Sequence, residues 1–265
     1  MLTELLRGYF LELSTFFLLG GFAVFVGGLI GCVGIGGVLL VPILTYIFNI
    51  DIHIAIAAAM FSYFFSGIVG TLIYAQKGSI KWAQTRWLVI GAAPAAFVGA
   101  KITLSIPGHY LEFLISLFVV AAGINAMRNQ KSIEGSQNIT NPYALFSIGV
   151  VTGIGSALTG TGGPLFIVPI MVSLKVTAHT AIGFSQAIQL PIASLATIGN
   201  FLYGSVDLII GGVIASGIII GSTFGAKLAH LVSPIIMNRI LALVLVTVGV
   251  IMISRVIFSF YFTNL

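Results

Sequence analysis

Two glycine-rich stretches, 34–38 and 160–164, are the part of the sequence best suited to binding chemistry. The first reads Gly-Ile-Gly-Gly-Val and the second Gly-Thr-Gly-Gly-Pro, each inside a long apolar run. Glycine lets a ligand approach the backbone and permits positive φ. A helix that begins after such a break presents free N–H groups and partial positive charge, which suit an anion. The residues expected to bind it are Gly36, Gly37, Val38, Thr161, Gly162 and Gly163.

Several polar side chains could add hydrogen bonds to this backbone site. Gln186 and Gln189 are three residues apart and share one face of a predicted helix. Further candidate donors to an oxyanion are Ser185 and Asn200, and, in the corresponding region of the first half, Ser62, Tyr63 and Ser66. Interhelical hydrogen bonding explains all of these residues equally well. Thr161 is the favoured side-chain ligand, and its alternative role is to cap the following helix.

Ionisable residues are too few and too scattered to indicate catalysis. The sequence has no clustered His/Asp/Glu metal site, activated nucleophile or nucleotide-binding loop. We therefore expect no enzyme activity, catalytic residue, metal site or cofactor. Its 11 Lys and Arg are spread along the chain and form no nucleic-acid-binding face. His53 and His179 stand at predicted helix starts, where either could titrate and take part in proton coupling.

The composition indicates that helices in a membrane position these residues. Of 265 residues, 58% are apolar and 6% are charged, whereas soluble domains carry about 25% charged residues. A membrane-spanning helix needs about 20 residues. Apolar stretches of about this length or longer run over 14–49, 53–75, 84–106, 110–128, 143–174, 178–203, 207–232 and 236–260. The expected fold is an all-α, multi-pass membrane protein.

The chain divides into two similar halves. A polar linker at 129–142 separates a first transmembrane repeat, 1–128, from a second, 143–265. A shift of 126 residues superimposes the two halves. The matched residues include Gly36-Gly37 with Gly162-Gly163, Thr71 with Thr197, and Gly99-Ala100-Lys101 with Gly225-Ala226-Lys227. This agreement indicates an internal repeat. Because the glycine motif is duplicated, binding is favoured over a role limited to close helix crossing.

The lengths of 14–49 and 143–174 indicate how the halves are oriented. As one helix, 14–49 would measure about 54 Å at about 1.5 Å per residue, which exceeds the hydrocarbon thickness of about 30 Å. Each stretch should therefore break at its glycines, into two crossings or a re-entrant hairpin. Each half has three further helices, so two crossings give five in total and a re-entrant hairpin gives three. Both numbers are odd. The two repeats are then expected to have inverted topology.

Charge placement favours the inverted arrangement. It puts eight basic residues on one side and three on the other, whereas a parallel arrangement gives seven and four. The positive-inside rule makes the first side cytoplasmic and places both termini outside. The eight are Lys77, Lys81, Arg86, Arg128, Lys131, Lys175, Lys227 and Arg239, and the three are Arg7, Lys101 and Arg255.

The duplicated pattern resembles the TauE/SafE family of sulfite exporters. The stretches 34–42 and 160–169, each ending in proline, carry the resemblance together with the two His-x-Ala-Ile sequences that start at His53 and His179. It covers nearly the whole chain. The second stretch departs from the first by one residue inserted before its proline.

The resemblance implies a secondary transporter, an exporter of a small anion in the bacterial cytoplasmic (inner) membrane. The implied substrate is sulfite, an organosulfonate or a related oxyanion. It would bind between the broken helices near the membrane midplane and move by alternating access. The expected partners are this anion and the lipid bilayer, with proton coupling and a homodimer left open. An anion channel and the membrane subunit of a larger transport assembly are the alternatives.

Overall fold

The structure, a computed structural model, describes residues 2–33, 36–128, 139, 141–204, 206–228, 243 and 246–254. Regular structure in these residues is helical. The elements are α1 (Leu2–Val33), a 3-10 turn η1 (Gly36–Leu39), α2 (Leu40–Tyr46), α3 (Ile52–Gln76), α4 (Trp82–Ser105), α5 (Gly108–Arg128), α6 (Pro142–Thr159), α7 (Pro164–Ser173), α8 (Ala178–Tyr203) and α9 (Leu208–Leu228). Residues 246–254 are also helical.

Among the described residues, 6 helices are long and apolar enough to cross a membrane. The candidate spans are Ser14–Cys32, Ile52–Gln76, Trp82–Ser105, Pro142–Thr159, Thr180–Tyr203 and Leu208–Leu228. Large apolar side chains on these helices, such as Phe17, Ile209 and Phe224, are exposed and form a surface suited to lipid. The chain is therefore an all-helical, multi-pass membrane protein, as its composition predicts.

Both over-long apolar stretches break at their glycines, as their lengths predict. The first forms α1 and then η1 and α2, with Gly34 and Ile35 between them outside the described residues, and the second forms α6 and α7. The pieces after the breaks, Gly36–Tyr46 and Pro164–Ser173, measure only about 15 Å each at 1.5 Å per residue. Each break therefore joins a span-length helix to a helix too short to cross.

The helices α3 and α8 cross in antiparallel directions. Gly67 of α3 packs on Leu190 of α8, and Gly70, further along α3, packs on Gln186, which comes earlier in α8. A side chain at Gly67 would lie 2.9 Å from the Cα of Leu190. The backbones thus touch near the middle of both helices, and this crossing is the centre of the molecule.

The helices α1 and α9 pack in parallel along a seam of small residues. Gly20 lies against Gly217, and Gly28, further along α1, lies against Gly225 of α9. A side chain added at Gly217 would lie 2.8 Å from the Gly20 carbonyl oxygen and 2.6 Å from the Cβ of Ala23. Without glycine here the two backbones could not approach this closely.

The helices α4 and α6 form a second parallel seam. Leu88 lies against Gly149, and Gly99, further along α4, lies against Ala157 of α6. The boundaries of equivalent helices are 126 residues apart: this spacing separates the starts of α3 and α8, the starts of α4 and α9, and the ends of α1 and α6. Each seam therefore pairs a helix from the first half of the chain with one from the second.

The predicted linker lies mostly outside the described residues. Its last residue, Pro142, is already the first residue of α6, because the Asn141 side chain caps the helix by accepting from the backbone N–H groups of Tyr143 and Ala144. Of the basic residues used to orient the chain, Lys131, Arg239 and Arg255 also lie outside the described ranges.

Candidate functional site

The second glycine break makes a turn that requires glycine. α6 ends at Thr159 and is capped by Gly160, where φ is 66°; φ is 74° at Gly162 and 116° at Gly163. A residue with a side chain loses about 1–2 kcal/mol in left-handed backbone. Pro164 then starts α7 in its first turn, where the missing N–H is no loss. The chain thus ends one helix and begins another within five residues.

The first break uses different backbone geometry. Gly36 and Gly37 lie in η1, and neither is among the positive-φ residues of the described chain. Close approach explains glycine here. A side chain at Gly37 would lie 3.0 Å from the hydroxyl oxygen of Tyr63 and 3.2 Å from the carbonyl oxygen of Thr161. Among the residues of the two breaks that the structure describes, 36–38 and 160–164, positive φ is found only at the second.

The two breaks meet beside Tyr63, where α3 and α8 cross. The Tyr63 hydroxyl donates to the Gly37 carbonyl oxygen at 2.6 Å. On the other side, a side chain at Gly162 would lie 2.8 Å from the Tyr63 ring. Tyr63 is fully buried near the middle of the 25-residue α3. We call Gly37, Tyr63, Thr161, Gly162 and Gln189 the break junction.

Gln189 joins the break junction from α8. Its Nε2 donates to the Ser66 hydroxyl oxygen at 2.6 Å and to the Tyr63 carbonyl oxygen at 3.4 Å. Its Oε1 is buried and meets no hydrogen-bond donor among the described residues. Tyr63 and Gln189 are 126 residues apart, so they occupy the same position of the two halves. This register singles out Tyr63 among the three candidates of the first half, Ser62, Tyr63 and Ser66.

The Thr161 hydroxyl is engaged at the end of α6. The Thr159 hydroxyl donates to the Gly155 carbonyl oxygen at 2.7 Å, so Thr161 supplies the hydrogen in its 3.0 Å contact with Thr159. The N-cap of α7 is Gly163, and no side chain caps it. Thr161 thus lies at the break junction with its hydroxyl hydrogen occupied, and it does not cap the following helix.

The other predicted side chains are bonded elsewhere. The buried hydroxyl groups of Ser62 and Ser185 donate at 2.8 Å to carbonyl oxygens three residues earlier in their own helices. Gln186 Nε2 donates to the Ile30 carbonyl oxygen of α1 at 3.3 Å. Of the predicted polar side chains, the structure therefore brings Tyr63, Thr161 and Gln189 to the break junction, with Ser66 bonded to Gln189. It holds Ser62, Ser185 and Gln186 by other contacts.

The positive charges in the described chain lie away from the break junction. Lys101 is exposed near the end of α4, with its Nζ 5.2 Å from the centre of the Tyr203 ring. Lys227 is exposed in the last turn of α9. Long basic side chains in such positions reach the membrane interface. Any anion at the junction would therefore be held mainly by backbone and uncharged side chains.

Residues 16–252 match the family described as "Sulfite exporter TauE/SafE". "Probable membrane transporter protein YdhB" of Bacillus subtilis is 25% identical over 222 residues, 80% of this chain and 89% of that protein. "Probable membrane transporter protein MJ0441" of Methanocaldococcus jannaschii is 26% identical over 261 residues, 92% and 96% of the two chains. No solved structure matches significantly. The chain belongs to the TauE/SafE family of membrane transporters.

Proposed function

We propose that this transporter is a secondary exporter of sulfite or an organosulfonate across the bacterial cytoplasmic membrane. The observation that carries the proposal is the meeting of the two glycine breaks at the crossing of α3 and α8. Irregular backbone at this depth in a membrane protein persists where it is buried in protein or lines a substrate path. The family description, which names sulfite, supports the choice of anion.

The anion is bound by backbone N–H groups that begin the two short helices. The first N–H groups of a helix have no acceptor within it, and the helix start carries about half a positive charge. The proposed ligands are Gly36, Gly37 and Val38 from the first break and Gly162 and Gly163 from the second. Thr161, whose N–H donates to the Ser156 carbonyl oxygen at 3.2 Å, would join them by exchanging that bond. Tyr63 engages the Gly37 carbonyl oxygen, which keeps a negative group from turning towards the anion.

Side chains complete the proposed site. The Gln189 amide already lies at the junction and would offer its Nε2 to the anion by exchanging its bonds to Ser66 and Tyr63. Ser62, Ser185 and Gln186 would act as ligands only by exchanging their present hydrogen bonds. The break junction contains no Asp, Glu or His, so a coupled proton would travel on the substrate itself.

We propose that uptake has the signature of a carrier. Proteoliposomes loaded with unlabelled sulfite should take up labelled sulfite faster than empty ones, because a returning carrier is faster when it carries substrate. Sulfoacetate, thiosulfate and sulfate, added separately, test which oxyanion competes. Uptake without this acceleration indicates a channel, and exchange by the purified chain removes the need for a partner subunit. Binding of a cation and of none of these anions contradicts the proposal.

Variants of two tyrosines connect this transport to the break junction. Tyr63→Phe leaves the Gly37 carbonyl oxygen without its donor, and such a loss costs about 1–3 kcal/mol. Exchange should fall about tenfold. Tyr143, 82% exposed at the start of α6, provides the control, and Tyr143→Phe should exchange sulfite like the unchanged protein.

We further propose that the two halves are inverted repeats. Supporting this, the equivalent helices α3 and α8 run antiparallel, and α1 pairs with α9 as α6 pairs with α4. Because consecutive spans alternate in direction, each helix of the first half then opposes its equivalent in the second. Positive-inside placement puts the α3–α4 loop in the cytoplasm and both termini outside.

Side-specific labelling tests the inversion. Lys77 and Tyr203, at the ends of α3 and α8, are equivalent positions 126 residues apart, and both are exposed. In a Cys32→Ala background, an impermeant thiol reagent should label Tyr203→Cys on intact cells and Lys77→Cys only after the cells are opened. Labelling of both from the same side indicates parallel repeats.

A further inference from the structure

Three hydrogen bonds tie α1, α3 and α8 together between the break junction and the α3–α4 loop. The Thr71 hydroxyl donates to the Gln186 carbonyl oxygen at 3.0 Å. Gln186 Nε2 donates to the Ile30 carbonyl oxygen at 3.3 Å, and the Tyr74 hydroxyl donates to the Gly31 carbonyl oxygen at 3.3 Å. Each bond joins a different pair of these helices. We call the set the inner triangle.

The equivalent positions at the other end of the molecule carry polar groups without partners. A shift of 126 residues relates Thr71 to Thr197, Tyr74 to Asn200 and Ile30 to Ser156. Thr197 Oγ1, Asn200 Nδ2 and Ser156 Oγ are all buried, and within the described ranges none of them has a hydrogen-bond partner. The inner triangle therefore has an unformed counterpart, which we call the outer set.

Buried polar groups without partners are rare in folded proteins and require an explanation. The repeat itself identifies the missing acceptors. By equivalence with Thr71, the Thr197 hydroxyl would donate to the Met60 carbonyl oxygen of α3. By equivalence with Tyr74, the Asn200 amide would donate to the Ala157 carbonyl oxygen of α6. In the structure that oxygen accepts from the Thr103 hydroxyl at 3.2 Å instead.

We infer that the inner triangle and the outer set are alternating gates, each hydrogen-bonded when the other is not. The described conformation forms the inner triangle at the end of the α3–α4 loop. At the opposite end the outer set is buried, and its three polar atoms have no hydrogen-bond partner among the described residues. The inner triangle has three bonds and the outer set would gain the two named above, because Met60, the equivalent of Gln186, has no side-chain donor. The two conformations then differ by about one hydrogen bond, so both can be populated. This inference rests on the inverted-repeat carrier proposed above.

A pair of equivalent substitutions tests the gates. Thr71→Val removes a bond of the inner triangle and should shift the population towards the other conformation about fivefold, the effect of one typical hydrogen bond. Thr197→Val removes a bond that forms only in the other conformation, and it also removes an unpaired buried hydroxyl from the described one. It should shift the population about as far in the opposite direction.

Thiol labelling at two equivalent positions reports these shifts. Cys32 follows Gly31 of the inner triangle, and the equivalent Leu158 follows Ala157; both are half-buried. Thr71→Val should raise the labelling rate of Cys32 about fivefold. It should lower the labelling rate of a cysteine at position 158, introduced as Leu158→Cys in a chain that also carries Cys32→Ala. Thr197→Val should do the reverse. Tyr74→Phe removes another bond of the inner triangle and should change both labelling rates in the same directions as Thr71→Val. The control is Ser216→Ala, which removes an exposed hydroxyl bonded within its own helix and should leave both rates unchanged.

The outcomes separate this inference from the proposed function. Labelling is read without substrate and compared with sulfite exchange by the unchanged protein. Opposite shifts uphold the gates even if sulfite is not exchanged. Shifts in the same direction, or no shift at either reporter, overturn them even if sulfite exchange is normal.

Discussion

Gly162→Ala should reduce oxyanion exchange at least about tenfold. Its backbone has φ of 74°, which costs about 1–2 kcal/mol with a side chain. The added methyl group would also lie 2.8 Å from the Tyr63 ring. Tyr63 must then move, and its hydroxyl loses the Gly37 carbonyl oxygen. The change therefore alters both breaks at once. The measurement is sulfite exchange in proteoliposomes beside thermal stability in detergent.

Two other glycines separate the causes of this effect. Gly78 has φ of 68° but open space around it, so Gly78→Ala adds the backbone strain alone, away from the break junction. Gly212 in α9 has neither strain nor a neighbour within 4 Å, so Gly212→Ala adds only a methyl group. Both should exchange sulfite normally. If Gly162→Ala exchanges as they do, the break junction is not the binding site.

Gly221→Leu should prevent stable folding. In the seam between α1 and α9, a side chain at Gly221 meets the Val24 carbonyl oxygen and would lie 2.7 Å from the Gly28 nitrogen. Overpacking a well-packed site costs about 1–3 kcal/mol. Here the obstacle is backbone, which cannot rotate away, so the two helices must separate and lose contacts along the seam. We expect a loss above about 3 kcal/mol and little monodisperse protein in detergent.

The matched control lies in the same helix. Gly212→Leu adds the same side chain where no atom lies within 4 Å, and an extra apolar group on a lipid-facing surface is tolerated. It should yield folded protein with an unchanged melting temperature. Equal yields of monodisperse protein from the two variants would show that the α1–α9 seam does not require glycine.

Much of the fold could be predicted from sequence because the membrane imposes a length. Stretches that exceed one span must break, and the breaks fall at the predicted glycines. The backbone geometry of the first break could not be predicted. A glycine motif alone does not indicate whether glycine is required by positive φ or by the close approach of a neighbour. At 160–164 the reason is φ, and at Gly37 it is the neighbouring Tyr63.

The side chains of the site were harder to predict. In a soluble helix the polar face marks the surface, but here the faces towards lipid and towards protein are both apolar. Sequence periodicity therefore did not show which face of α3 meets α8. Ser62 and Tyr63 are adjacent in sequence and about 100° apart around the helix, and Tyr63 is the one at the junction. Hydrogen bonds such as that from Thr161 to Thr159 depend on local geometry that spacing cannot specify.

Each glycine-lined seam joins a helix of the first half to a helix of the second half, and this affects how the chain assembles. Since α1 packs on α9 and α4 packs on α6, neither half satisfies its own glycine-lined surface during synthesis. In the bilayer, α1 and α4 therefore lack their packing partners until the second half is inserted. On the inverted arrangement proposed above, a chain of one half alone would find its missing partners in another copy inserted in the opposite orientation. A single half would then form half of an antiparallel dimer, and fusing two such halves makes the opposite orientations obligatory.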